Sequence, residues 1–402
     1  MTGWPLKRLE NVADVRAGLQ VSSKRRTNPL SVPYLRVANV FRERLELSHV
    51  RSMRVTAKEA ERTRLLKGDL LIVEGHGNIH EIGRCAVWDE SIPGCVHQNH
   101  LIRARPNETL IHSEYLSRYL NSPGGRNQMR RLSKTTSGLN TISTSNVREI
   151  RVPVPSKREQ RRIIAILDQT DAICRKRQEA IVLTEELRRS AFLTIFGDPV
   201  TNPMSWPIVP LAQLASIKSG VTKGRKIENK KTVSVPYLRV ANVQDGVIDT
   251  KEVKIIDVLP SDVDKYRLIS GDVLLTEGGD PDKLGRGGVW RGEIAPCIHQ
   301  NHVFRVRCQS SAILPEFLSA LTGSTYGKRY FLKAAKQTTG IASINKTQLQ
   351  AFPVLVPSQA RQERYLSVLQ AIEKRRADLR TASLELGNLF HSLIQRAFRG
   401  EL

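Results

Sequence analysis

The sequence predicts an α+β fold, in which two similar domains of mixed strands and helices are joined by two long helices that pair antiparallel about a pseudo-two-fold axis. Three observations predict it. The chain repeats itself at a near-constant offset. The matching segments have the period and punctuation of short strands. Each copy then gives way to a stretch without Pro or Gly whose apolar residues recur every three or four positions.

The repeat is unambiguous. Residues 31–40 read SVPYLRVANV and residues 234–243 read the same ten letters. LLKGDLLIVEG at 65–75 matches LISGDVLLTEG at 268–278, IGRCAVW at 82–88 matches LGRGGVW at 284–290, and CVHQNHLIRAR at 95–105 matches CIHQNHVFRVR at 297–307. Trp4-Pro5-Leu6 pairs with Trp206-Pro207-Ile208, and Val154-Pro155-Ser156 with Val356-Pro357-Ser358. The second copy has one extra residue between Gly220 and Ser234, and one fewer between Gly278 and Leu284. The matching segments are apolar runs broken by Gly, Pro, Asn and Asp, the pattern of strands and turns. The divergent ones are polar, Gly-rich and basic, as surface loops are.

The helical stretches come next. In the first, Ile163, Leu167, Cys174, Ile181, Leu187, Ala191 and Ile195 trace a seam. In the second, Leu369, Ile372, Leu379, Leu386, Phe390, Leu393 and Ala397 form a heptad stripe that Arg376 and Ser383 interrupt. Ser156 and Ser358 supply N-cap signals, and Gly197-Asp198-Pro199 a stop. About 40 residues at 1.5 Å per residue gives roughly 60 Å for each helix. A narrow apolar seam needs a partner, and a duplicated chain favours a two-fold pairing of the two helices. The expected boundaries are a first domain over 1–155, its helix over 156–197, a linker and second domain over 198–357, and a second helix over 358–402.

Charge narrows the function. Sixty-three Lys and Arg against 39 acidic residues leave a formal net charge of +24, which suits a polyanion such as double-stranded DNA, whose condensed counterions are released on binding. Five scattered cysteines point to a reducing compartment rather than a disulfide framework. Neither a signal-peptide core nor an apolar run near 18 residues is present, so no membrane role and a cytoplasmic location are expected.

Order and repetition together carry a family likeness: the opening Trp4 to Leu9 and Trp206 to Leu211, the small-residue stretch TTSGLNTISTSNVREIRVPVPSKREQRRI leading into the first helix, FGDP at 196–199 and FRGEL at 398–402. The chain resembles the specificity subunits of type I restriction-modification systems. The resemblance implies two target recognition domains, each reading half of a bipartite gapped DNA sequence. Their helices would set the spacing and dock two methyltransferase subunits, with restriction/translocase subunits as further partners. Cofactor binding is not expected of this chain, and S-adenosylmethionine would sit on the methyltransferase. The two domains here are unusually alike, so related half-sites in a pseudo-palindromic arrangement are expected.

The residues give no competing chemistry. The chain lacks a phosphate-binding loop, a dinucleotide fingerprint and the Asn/Asp-Pro-Pro-aromatic motif of adenine methyltransferases. Asp245 with Glu252-Val253-Lys254 superficially resembles a metal-dependent nuclease set, but the counterparts Arg42, His49 and Arg51 could not bind a metal the same way. The repeated Cys-x-His-x-x-His (Cys95, His97, His100; Cys297, His299, His302) has zinc-ligand character. It lies in an apolar alternating run, and a strand sends His97 and His100 to opposite faces. Gln98, Asn99 and His100 remain as possible DNA contacts.

For DNA reading, three divergent segments supply basic residues for phosphates and polar groups for base edges. The first holds Lys24, Arg25 and Arg26, against Lys223, Arg225 and Lys226 in the second copy. The second holds His76, Asn78, His80 and Arg84, against Asp280, Lys283 and Arg286. The third holds Lys134, Thr135 and Thr136, against Lys336, Gln337 and Thr338. Shared features, Arg84/Arg286 and Lys134/Lys336, fit scaffold and phosphate roles, and differing ones fit base readout. Basic residues on the first helix (Arg158, Arg161, Arg162, Arg175, Lys176, Arg177) could follow the DNA spacer or simply be solvated. A stand-alone DNA-binding regulator is the alternative, and it would need no partner.

Overall fold

In the computed structural model, residues 4–136, 138–224, 231–280, 283–338 and 341–402 are described. The chain forms two compact units, residues 1–179 with 380–402, and residues 180–379.

In the first unit a four-stranded antiparallel sheet runs in the order Ala13–Ala17, Leu101–Pro106, Leu70–Val73, Cys85–Val87. Leu70, Leu71, Ile72 and Val73 are all fully buried, which explains the continuous apolar run rather than an alternation. A three-stranded sheet sets Leu30–Leu35 between antiparallel Arg51–Val55 and parallel Val96–His97. The ten-letter repeat forms that central strand and the turn after it. There Asn39 is buried, accepts from the Arg36 amide and donates to Glu46 O and His49 O. A buried amide that loses its partners is costly, which accounts for the identity of the segment. Trp88 fills the core under the first sheet.

The second unit repeats the plan. Ala215–Ser219, Val303–Cys308, Val273–Thr276 and Gly287–Val289 form the four-stranded sheet, and Val233–Leu238 lies between Lys254–Val258 and Ile298–His299. Asn242 repeats the bonds of Asn39, to Asp249 O and Glu252 O, and Trp290 repeats Trp88.

The long helices are Lys157–Phe196 and Gln359–Arg399. Ser156 Oγ accepts from the Glu159 amide at 3.3 Å, and Gly197 ends the first helix in the left-handed conformation at φ 77°. In the first unit the start of the first helix meets the end of the second: Ile163, Leu167 and Ala397 share one core with Phe390, Leu393 and Phe398. In the second unit the end of the first helix meets the start of the second, with Phe192, Ile195 and Phe196 against Tyr365 and Leu369, and Arg376 paired to Glu185 at 3.2 Å. Both contacts are antiparallel. One seam position differs from the sequence expectation. Leu187 is 55% exposed, and the seam passes instead through Thr184, whose hydroxyl donates to Ile181 O. Among the described residues no helix is long and apolar enough to cross a membrane.

Each helix enters its domain on a buried glutamine. Gln160 accepts from the His112 amide and donates to Leu110 O and Pro155 O. Gln362 does the same with Leu314, Ala312 and Pro357. The Trp4 indole donates to Ala397 O in the first unit, and Trp206 to Phe196 O in the second, so the repeated opening tryptophan ties down the last turn of a long helix.

Candidate nucleic-acid interface

Two of the three divergent segments are joined in space. Strand Gly75–His76 pairs with Leu139–Thr141, which pairs with Lys134–Thr136. The segment carrying His76, Asn78 and His80 is therefore continuous with the hairpin carrying Lys134, Thr135 and Thr136. The second unit builds the same sheet from Gly278–Gly279, Ile341–Ser343 and Lys336–Thr338. No local signal in the sequence links residues 75–76 to 139–141, because the pairing is long-range.

The first divergent segment stands outside that sheet. It is a 3-10 turn, Ser23–Thr27, held on the strand and helix that follow: Arg25 pairs with Glu59 at 2.9 Å and donates to Gln20 O, and Arg54 bonds Asn28 O. A bridge links the two regions. The Leu19 amide donates to His97 O and the Asn99 amide to Leu19 O, while the Glu74 amide donates to His100 O and the Ile142 amide to Glu74 O. Gln98 and Asn99 sit half-buried in that bridge and His100 is exposed beside them.

The predicted residues fall into three groups. Lys24, Arg26, Asn78, His80, Lys134, Thr135, Lys223 and Lys336 are exposed, and His76 is half-buried. Asp280 and Lys283 are exposed and paired to each other. Arg25, Arg84 and Arg286 are tied into the protein. Arg84 is buried, pairs with Glu81 at 3.2 Å, donates to Val37 O and stacks 5.2 Å over the Phe41 ring. Arg286 donates to Gln244 Oε1. Arg225 and Lys226 lie outside the described residues, as do Ser137, Asp282 and Thr339; Thr136, Gln337 and Thr338 are placed only as strand positions.

The Cys-x-His-x-x-His segment divides between interior and surface. Cys95 is buried and its thiol is pushed up to about 12 by burial. His97 is also fully buried, with Nδ1 facing Thr63 O at 3.2 Å, and burial together with nearby Arg103 lowers its pKa to about 4. His100 faces out and meets Glu74 at 3.1 Å. His299 and His302 repeat the arrangement, with His302 at 2.7 Å from Glu277. Asp245 pairs with Lys328 and Glu252 with Arg239, each turned to a different partner.

Sequence reasoning missed Asn140 and Arg42, which hold the second segment. Asn140 donates to His76 O at 3.2 Å and Gly77 O at 3.1 Å, and Arg42 donates to His80 O. Nothing in a lone Asn or Arg signals such contacts. The useful sign was the change between copies, where Ala342 and Asp245 occupy these positions.

The surface combines exposed lysines with varied polar groups. Exposed lysines suit phosphate oxygens, while the imidazoles, amides and hydroxyls of the second and third segments can meet base edges.

The family described as "Type I restriction modification DNA specificity domain" matches residues 1–183 and 203–386. The chain is 22% identical over 432 residues to the type I restriction enzyme EcoKI specificity subunit of Escherichia coli K12, spanning 100% of this chain and 89% of the relative. It is 21% identical over 426 residues to the StySPI specificity subunit of Salmonella potsdam, again 100% and 89%. Among solved structures, a chain from a type I R-M system studied for its complex assembly and conformational transition is similar at TM-score 0.68 and 17% identity, covering 100% of this chain and 99% of that one. The HsdS subunit of Thermoanaerobacter tengcongensis is similar at TM-score 0.51 and 19% identity, covering 100% and 98%. With both copies matched in turn, the chain belongs to the type I restriction-modification DNA specificity family.

Proposed function

We propose that each recognition domain reads one half of a bipartite, gapped DNA sequence, that the paired helices set the distance between halves, and that they dock two methyltransferase subunits. As a specificity subunit the chain recognises DNA and leaves catalysis to its partners. S-adenosylmethionine would then be held by the methyltransferase, and a restriction/translocase subunit would complete a cleaving complex. The observation that carries this reading is the repeated surface: in each unit two divergent polar segments meet in one three-stranded sheet. That gives two similar readers in one chain. Shared Lys134 and Lys336, exposed at the same sheet position, fit phosphate positioning. The differing residues between them fit sequence readout.

The experiment is to map methylated bases in a host genome with and without this gene. A gapped two-part motif that vanishes on deletion is the expected result. A methylation pattern that does not change overturns the proposal.

A further inference from the structure

We propose that the second domain holds an oxyanion site at the edge of its four-stranded sheet, built by Arg305, Lys218 and Lys346, which takes one phosphate group. Either the backbone of a bound duplex or inorganic phosphate supplies that group, and only the first source rests on the reading of the chain as a DNA reader.

In the first domain the equivalent cations have a carboxylate of their own. On the antiparallel strands Ala13–Ala17 and Leu101–Pro106, Arg16 stands directly opposite Arg103, and Asp14 opposite Arg105. Opposed like charges destabilise a strand pair. Asp14 relieves them, lying 2.8 Å from Arg16 and 2.7 Å from Arg103. Arg103 is 2% exposed and the Asp14 side chain 45%, so a carboxylate at the solvent rim neutralises a buried guanidinium.

The second domain keeps the cations and has Ser216 at the Asp14 position. Lys218 stands opposite Arg305, and Ser216 opposite Arg307. Arg305 is 7% exposed and its Nη1 donates to Arg267 O at 2.8 Å. Its Nη2, the atom through which Arg103 meets Asp14, bonds no described residue, and Nε is without a partner among them, as it is in Arg103. Buried Asp272 does not serve Arg305, because Arg307 takes its two oxygens at 2.6 and 2.8 Å. Among the described residues no carboxylate lies within ion-pair distance of Arg305 or Lys218. The Lys218 ammonium donates to Lys265 O at 3.3 Å, and Lys346 is exposed nearby. Burial, followed by Arg305, Lys265, Arg307 and Lys346, lowers the Lys218 pKa from the ordinary lysine value.

A buried cation is held at a cost unless an opposite charge meets it. Exchanging Asp14 for Ser216 alone strands Arg305, and an anion from solution restores the balance by taking over the role of that carboxylate. Phosphate suits the set because its oxygens accept from a guanidinium and two ammonium groups together, and its charge matches the excess of cations.

The test follows thermal unfolding of the full chain across inorganic phosphate concentrations, at constant ionic strength set with chloride, for the wild type, Ser216→Asp and Ser216→Asn. A ligand that binds the native state alone raises the melting temperature with its concentration. The wild type and Ser216→Asn should show that rise. Ser216→Asp, which supplies the carboxylate of the first domain, should start more stable and lose the rise; Lys218→Gln, expected to lose it too, serves if Ser216→Asp does not fold. Anisotropy with duplex DNA at several salt concentrations separates the sources. A backbone phosphate in the site makes the slope of log K against log salt shallower by about 0.9 in Ser216→Asp and leaves it unchanged in Ser216→Asn. Unchanged slopes with the phosphate rise still lost assign the site to inorganic phosphate. An equal phosphate rise in the wild type and Ser216→Asp overturns the proposal, as does a wild type without the rise whose slope Ser216→Asp leaves unaltered. A chain that prefers no DNA sequence sinks the DNA reading, and the phosphate titration then decides the site by itself.

Discussion

Acid should destabilise this protein well above the pH at which its carboxylates protonate, and His97 and His299 are the cause. Each imidazole is fully buried with one ring nitrogen at a backbone carbonyl, Thr63 O for His97 and Val303 O for His299. Among the described residues, Nε2 of each finds no hydrogen-bond partner. A proton there would create a buried cation with an unsatisfied donor, and Arg103 and Arg305 oppose it further. Both pKa values are lowered from 6.5 to about 4. The unfolded chain thus binds a proton that the native one refuses, so the stability is complete above pH 6.5 and is lost as pH falls toward 4. At pH 5 the linkage relation gives about 2 kcal/mol per histidine. The carboxylates held below 4.5, such as Glu59 and Glu81, act below this window. The assay is denaturant unfolding between pH 7 and 5, followed domain by domain, beside His97→Gln and His299→Gln. Each variant should start less stable at pH 7 and then lose less on acidification, and each should remove about one proton of uptake on unfolding at pH 5. If a variant keeps the wild-type pH slope, the buried-imidazole argument is wrong.

Three other outcomes follow from the geometry. Gln160→Ala or Gln362→Ala removes three hydrogen bonds at a helix entrance and leaves buried carbonyls unpaired; thermal unfolding should register a loss of about 2–3 kcal/mol in the unit concerned. Lys134→Ala should weaken DNA binding evenly across sequences and reduce the slope of log K against log salt by about 0.9, read by fluorescence anisotropy at several salt concentrations. Arg118 joins Glu43 to Asp168, the latter at 2.7 Å, and burial already raises the Glu43 pKa. Arg118→Ala should therefore cost about 1–2 kcal/mol in chemical denaturation, and adding Glu43→Gly should recover part of it.

What could be read from sequence was whatever is encoded locally or repeated. Trp4 and Trp206, the ten-letter segment and the heptad seam are all visible because position along the chain reveals them. The pairing of Gly75–His76 with Leu139–Thr141 was not, since backbone pairing between distant segments leaves no trace in composition. Nor were Gln160 and Gln362, because a glutamine on a helix reads as solvated until its three partners are known. Leu187 misled because it is apolar, although it lies six residues after Ile181 and off the three-four spacing of the seam; Thr184, three residues after Ile181, keeps that spacing and satisfies its own hydroxyl by donating back to Ile181 O. Arg84 and Lys134 carry the same charge in sequence, and only burial separates the one held over Phe41 from the one exposed to solvent.

Buried polar networks also explain where the copies agree. Asn39 and Asn242, Gln160 and Gln362, and the ion pairs Arg105–Asp69 and Arg307–Asp272 recur with the same partners. Changing one member alone strands the others without a partner, so such sets persist or vanish together. Most of the Arg118 set is lost in the second copy: Glu43, Arg118 and Asp168 correspond to Gly246, Ala320 and Gln370, whereas Asp171, 3.6 Å from Arg118, corresponds to Glu373 and keeps its charge. Asn140 and Arg42 obey a looser rule, because their targets are carbonyl oxygens near the surface that water can also satisfy. Water can take their place at those oxygens, so the second copy can carry Ala342 and Asp245 at these positions without the loss of a whole network.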